Sequence, residues 1–158
     1  MKVIKAISIF LVITILVTMA FSCVAFADST SFDLSAESSA VKIGEEITLT
    51  VKGKNVKDLK AYEVNITFDN EKLEYVIAES KVDGYSVIKE KDGNSLLIAN
   101  AKMGNAPAEN GDIDLCTITF KGKKTGTATV KMSIVKVLDN ILAETDYTVD
   151  KTVSIAIT

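Results

Sequence analysis

Ala61-Tyr-Glu-Val-Asn-Ile-Thr-Phe-Asp-Asn-Glu-Lys-Leu-Glu-Tyr-Val76 joins two period-two patterns through a short polar turn. In the first half, Tyr62, Val64, Ile66 and Phe68 fall on one side of an extended strand, and Ala61, Glu63, Asn65 and Thr67 on the other. One face suits a core and the other suits water or a partner. Asp69-Asn70-Glu71-Lys72 breaks the pattern with turn-favouring residues, and Leu73, Tyr75 and Ile77 resume it, so the stretch reads as a hairpin.

Working outward, the same alternation recurs along the chain. Phe32, Leu34 and Ala36 predict a first strand and Ile47, Leu49 and Val51 a second, with Val41 to Glu46 as the turn between them and Gly53 to Lys60 as a polar connection. Strands are expected at Tyr85–Lys89 and Ser95–Asn100, joined by Asp92-Gly93-Asn94, a strong hairpin signal. Ala101 to Asn110 holds the single proline and reads as an exposed loop. In Gly111–Lys121, Cys116, Ile118 and Phe120 share a face while Ile113 and Leu115 are one step out of phase, which predicts a bulge near Leu115. Ala128, Val130, Met132 and Ile134 alternate after the Gly122–Gly126 turn, and Val153, Ile155 and Ile157 form a closing strand. Nine short strands with turns between them predict an all-β, antiparallel, two-sheet sandwich of the jelly-roll type.

The first 27 residues stand apart. Lys2 and Lys5, the apolar run Ile7–Ala20 and the small-x-small site Ala25-Phe26-Ala27 read as a secretory signal peptide cut before Asp28. A retained membrane anchor and, through Cys23, a lipoprotein are the alternatives. Setting aside 27 of 158 residues leaves 131, the length of one domain spanning 28–158. That domain carries 16 lysines against 21 acids and the chain has no arginine or histidine. Nucleic acid is a poor partner for such a chain, and a cleaved product keeps no membrane segment. The absence of histidine excludes His-dependent catalysis and His-ligated metal centres, and no phosphate loop, paired-cysteine zinc spacing or other cofactor signature occurs. Asp139, Asn140 and Asp146 lack the spacing of a calcium loop and read as a solvated turn. Cys116, alone in the mature chain, has no disulfide partner and reads as a small buried side chain.

The strand and turn at Phe68-Asp69 with Leu73-Glu74 beyond it, the Val41/Gly44 entry, the Gly111 segment running into Ile118-Thr-Phe-Lys121 and the Thr125-Gly126 turn together resemble bacterial cohesin domains. The resemblance runs from about Phe32 to Thr158. It implies a jelly-roll module that binds the paired helices of a dockerin-bearing protein, with the calcium held by the dockerin, in secreted polysaccharide-degrading assemblies of the cellulosome type. It also implies contact positions on the outward side of the third strand, here Ala61 and Glu63, and at the end of a later strand, here Ala99-Asn100 leading to Met103-Gly104.

Apart from the family, a flat face exposing Ala, Asn, Thr and a few charges suits docking of a helix pair. Glu63, Asn65, Asn100 and Met103 are expected to share one patch, although Glu63 and Asn65 also fit a plain solvated face. Tyr85 offers either an aromatic contact or a cap on the core edge, and Met103 either an adaptable contact or a side chain tucked under its loop. A carbohydrate-binding module is the alternative from another class. Sugar rings stack on coplanar aromatics, and the chain offers only Tyr62, Tyr75, Tyr85 and Tyr147 for that purpose.

Overall fold

The computed structural model describes residues 29–91 and 93–158, and the expected signal peptide lies outside them. Every expected strand forms: β1 Ser31–Ala36, β3 Glu46–Leu59, β4 Ala61–Phe68, β5 Leu73–Ser80, β6 Tyr85–Lys91, β7 Ser95–Ala101, β8 Glu109–Gly122, β9 Gly126–Leu138 and β10 Glu144–Ile157. A tenth, the two-residue β2 Ala40–Val41, runs into the start of the segment read as a turn and pairs parallel to the end of β10. Four strands in the order β1-β3-β8-β5 form one sheet, and six in the order β2-β10-β9-β4-β7-β6 form the other.

Alternation drives this arrangement. The inward residues of β4 (Tyr62, Val64, Ile66, Phe68), of β3 (Ile47, Leu49, Val51) and of β8 (Cys116, Ile118, Phe120) are buried and meet between the sheets. Phe68 from one sheet packs on Phe120 from the other at 4.9 Å between ring centroids, and Phe32 meets the edge of Tyr147 at 5.0 Å. Cys116 is buried and free, as its strand position predicts.

The bulge in β8 sits at Leu115. Val51 pairs with Cys116 and Lys52 with Asp114, so Leu115 is the extra residue, and both it and Cys116 point into the core.

Four expectations are corrected. The Asp69 turn does not close a hairpin: β4 pairs with β7 and β9, whereas β5 pairs with β8 in the opposite sheet, so the turn carries the chain across the sandwich. Gly53–Leu59, nearly all of the segment read as a polar connection, is the second half of β3. Two extra residues, Asn55 and Asp58, adopt φ of 49° and 50°, which short polar side chains tolerate. Their amides donate to the Asp112 and Asn110 side chains, both at 2.9 Å, and the shifted phase buries Val56 and Leu59.

In β5, an irregularity between Tyr75 and Ile77 exposes Ile77 and turns Ala78 inward. In β9, Asn65 pairs with Ile134 and Ile66 with Met132, leaving Ser133 extra. Val135 therefore takes the core position and Ile134 moves to the outside.

Candidate functional site

The outer face of the six-stranded sheet is built from three cross-strand rows. Glu144, Leu138, Ala61, Ala101 and Tyr85 lie side by side from β10 to β6. The next row is Asp146, Lys136, Glu63, Ala99 and Val87, and the third is Thr148, Ile134, Asn65, Leu97 and Lys89. All project to one side, because paired residues in adjacent strands share a face.

Apolar and charged groups are segregated within this grid. Over β7 and β6, Leu97, Ala99, Ala101, Val87 and Tyr85 make a continuous apolar area, with Val87 44% and Tyr85 65% exposed. Over β9 and β10, Lys136 holds the Glu144 carboxylate at 3.3 Å and that of Asp146 at 3.6 Å. The hydrogen bond that Lys136 donates to Glu144, the field of Asp146 and, more weakly, that of Glu63 raise the Lys136 pKa above the ordinary lysine value. Glu63 also accepts a hydrogen bond from Asn65 Nδ2 at 3.1 Å. Three carboxylates around one ammonium leave this end acidic. A shallow depression of about 300 Å³ crosses the border between the two areas, floored by Ala61, Glu63, Ala99 and Leu138.

The expected contact residues divide as follows. Ala61, Glu63 and Asn65 lie in the grid, and Tyr85 stands on its rim facing outward rather than capping the core. Met103 is 68% exposed on the loop beyond β7, so it does not tuck beneath it. Asn100 is the correction: it is in phase with Leu96 and Ile98, is buried at 3% exposure and faces the core. Its Nδ2 donates to the Val82 carbonyl and to Ser86 Oγ, both at 3.0 Å, pinning the chain that enters β6. Its side chain braces the sheet from beneath and does not project from the outer face.

Val87, Leu97, Ile134, Lys136, Leu138 and Glu144 escaped the sequence reading. The signal for the four apolar ones is a run of adjacent apolar residues where strict alternation demands a polar one, as at Val87-Ile88, Leu96-Leu97-Ile98, Ile134-Val135 and Val137-Leu138, while Lys136 and Glu144 carry no such signal. In the last three runs one side chain packs on the core and a neighbour faces out, whereas on the edge strand β6 both Val87 and Ile88 keep more than a third of their surface exposed.

Other places offer less. A hollow of about 560 Å³ beside Lys52, Lys54, Lys81, Asp83 and Asp112 alternates cations with carboxylates and has no apolar floor beyond Val82 and Ile113. Among the described residues no three acidic or thiol groups converge as metal ligands. Asp139 Oδ1 accepts the Ile141 and Ala143 amides at 2.9 Å each, while Asp146 lies in β10 beside Lys136 and not in a turn. Tyr62 is buried, and Tyr75 and Tyr147 lean on Phe120 and Phe32, so Tyr85 is the one well-exposed aromatic among the described residues.

A model of the family described as cohesin domain matches residues 32–157. This chain belongs to the cohesin family. Membership makes it a non-catalytic recognition module, consistent with a face built for contact. Cell surface glycoprotein 1 of Acetivibrio thermocellus is 28% identical over 151 residues, which are 93% of this chain but 6% of that protein's length.

Among solved structures, the sixth cohesin of Acetivibrio cellulolyticus scaffoldin B, crystallised with a dockerin, superposes with a TM-score of 0.65 at 16% identity, covering 81% of this cohesin and 99% of that chain. The cohesin module of a Clostridium perfringens family 33 glycoside hydrolase gives 0.66 at 12% identity over 82% and 98% of the two chains. A non-cellulosomal cohesin from the archaeon Archaeoglobus fulgidus gives 0.62 at 15% over 81% and 91%.

Proposed function

We propose that this cohesin is an exported module that captures a dockerin-bearing protein on the outer face of its six-stranded sheet, with calcium held by the dockerin. The observation that carries the reading is the segregated grid, in which an apolar area over β6 and β7 abuts an acidic strip over β9 and β10. A helix pair laid across it buries Leu97, Ala99 and Val87 and sets basic side chains against Glu144, Asp146 and Glu63. The flatness of the face matters, because a helix pair needs a surface without a deep cleft. The positively charged, apolar leader and the surface protein among its relatives support an extracellular or surface location. Direct sugar binding has, among the described residues, a single well-exposed ring, Tyr85, to stack on, which favours protein over polysaccharide as the ligand.

Calorimetry with calcium-loaded dockerins encoded in the same genome tests this. One-to-one binding that disappears on chelation is the expected result. Failure to bind any of them, together with retardation in gels containing cellulose, xylan or pectin, overturns the reading.

A further inference from the structure

Beyond the first row of the grid, two loops rise at one end of the sheet. One follows β7 from Lys102 to Ala108, and the other joins β9 to β10 through Asp139–Ala143. At their tips stand the most exposed large apolar side chains among the described residues: Ile141 at 80%, Leu142 at 73% and Met103 at 68%. Between them lies an open hollow of about 580 Å³ lined by Ala61, Ala101, Leu138, Gly104, Asn105 and Leu142. Ala61, Ala101 and Leu138 also line the depression on the sheet face, so the two surfaces are continuous.

The backbone shows that this display is held in place. Leu142 adopts φ of 63°, the left-handed region that a branched apolar residue normally avoids and that Gly or Asn would occupy at no cost. Asp139 over-determines it: its side chain accepts the Ile141 and Ala143 amides, its carbonyl accepts the Leu142 amide at 3.1 Å, and its own amide donates to the Ala143 carbonyl at 3.1 Å. The cations nearby are already engaged. Lys60 Nζ donates to the Ala106 carbonyl, and Lys102, 4% exposed, pairs with Glu109. Lys60, Lys102, Asn105 and Asn140 share the lining, but with both ammonium groups turned to partners of the loop, the tips of Leu142, Ile141 and Met103 present the apolar part of this surface to an incoming apolar group.

We infer that this crown is a second contact for the same docking partner, receiving an apolar side chain from the end of the helix that lies along the grid. The inference rests on the docking reading above. It gives the left-handed leucine a purpose, because the loop holds a strained backbone to aim a side chain that stays 73% exposed.

The test uses two variants in the full domain. Leu142→Gly suits the φ of 63° and removes the side chain, so its melting temperature should not fall while its affinity for a cognate dockerin drops at least about tenfold. Ile141→Ser should fold normally and weaken binding in the same direction. Unchanged affinity in both variants overturns the inference while leaving the docking reading intact. A wild-type domain that binds no dockerin defeats the docking reading itself. Concentration-dependent self-association abolished by Leu142→Gly, seen by sedimentation, also overturns the inference, because the crown's occupant is then a second copy of this chain.

Discussion

The Tyr62 hydroxyl of β4 lies 2.7 Å from the carbonyl oxygen of Leu115, the extra residue of the β8 bulge in the opposite sheet. A bulge leaves a backbone group without its ladder partner, and here that carbonyl is buried, so it needs a donor. Tyr62 supplies one across the core, and the Lys81 amide supplies another at 2.8 Å. The same phenol also lies 2.9 Å from Ser80 Oγ, so one side chain from β4 ties the two sheets together. On its other side that strand presents Glu63 to solvent.

Tyr62→Phe tests the strength of this tie. The ring still fills its place, Leu115 keeps the Lys81 amide and Ser80 keeps Val82, so the loss is that of the hydroxyl's bonds to Leu115 and Ser80, about 1 to 2 kcal/mol. Urea unfolding should show a lower midpoint with an unchanged slope. A midpoint equal to wild type would mean that the amide alone satisfies the bulge.

The alkaline limb of stability offers a second prediction. Burial pushes the Cys116 thiol up to about 12 and raises the Tyr62 phenol above its ordinary value, with the neighbouring Cys116 adding to the shift. Both groups are neutral when protonated, and the fold holds those protons more tightly than the unfolded chain does. Their contribution is therefore complete below the unfolded-state values, near pH 9 for the thiol, and is lost as pH rises toward 12. Stability should fall above pH 9 by up to about 1.4 kcal/mol per pH unit for each group. Cys116→Ala should make the first part of that decline shallower. In native buffer at pH 8 the thiol should resist a disulfide reagent and react at once in urea; rapid labelling of the native domain would contradict its burial.

How far these features could be read in advance depended on whether local pattern or a distant partner fixed each one. Alternation placed every long strand, because side chains such as Val64 and Ile118 have one core to enter and a period of two decides which side they take. The Leu115 bulge was visible as a phase slip between Ile113 and Cys116. Asn55 and Asp58 were misread because polar residues at positive φ look like a loop, and only their pairing with β8 shows a strand. Asn100 was misread because the family resemblance put a contact at this strand end, whereas its side chain faces inward and its amide serves the Val82 carbonyl and the Ser86 hydroxyl. The outward Leu97 and Ile134 were hidden among core residues, since composition does not say which member of an apolar pair faces in.

Gly84 is a third point of leverage. A Cβ there would stand 2.3 Å from the Ala101 carbonyl oxygen and 3.1 Å from Asn100 Oδ1, at φ of 144°, so both space and conformation demand glycine. Gly84→Ala must push the start of β6 away from β7 and strain the Asn100 bonds to Val82 and Ser86. A stability loss of more than about 1 kcal/mol is expected, with weaker partner binding through displacement of Tyr85. Calorimetric melting and a binding titration check both parts; an unchanged melting temperature would show that the β6 entry is not held as described.

Charge reversal and charge insertion on the two sheets separate docking from folding. Leu97→Asp and Val87→Asp place a carboxylate in the apolar half of the grid, where a docked helix would have to desolvate it. Each should lower dockerin affinity by at least about thirtyfold, the effect of a 2 kcal/mol anchor, with the circular dichroism spectrum unchanged because both side chains already face outward. Lys136→Glu removes the only cation from the acidic strip. It should increase the salt sensitivity of binding to a basic partner, since four carboxylates then steer one positive surface. Val76→Asp is the matched control: Val76 is 42% exposed, as Val87 nearly is, but lies on β5 of the opposite sheet. If Val76→Asp weakens binding as much as Val87→Asp does, the partner does not sit on the six-stranded face, because the two residues lie on opposite sheets of the sandwich and share no surface.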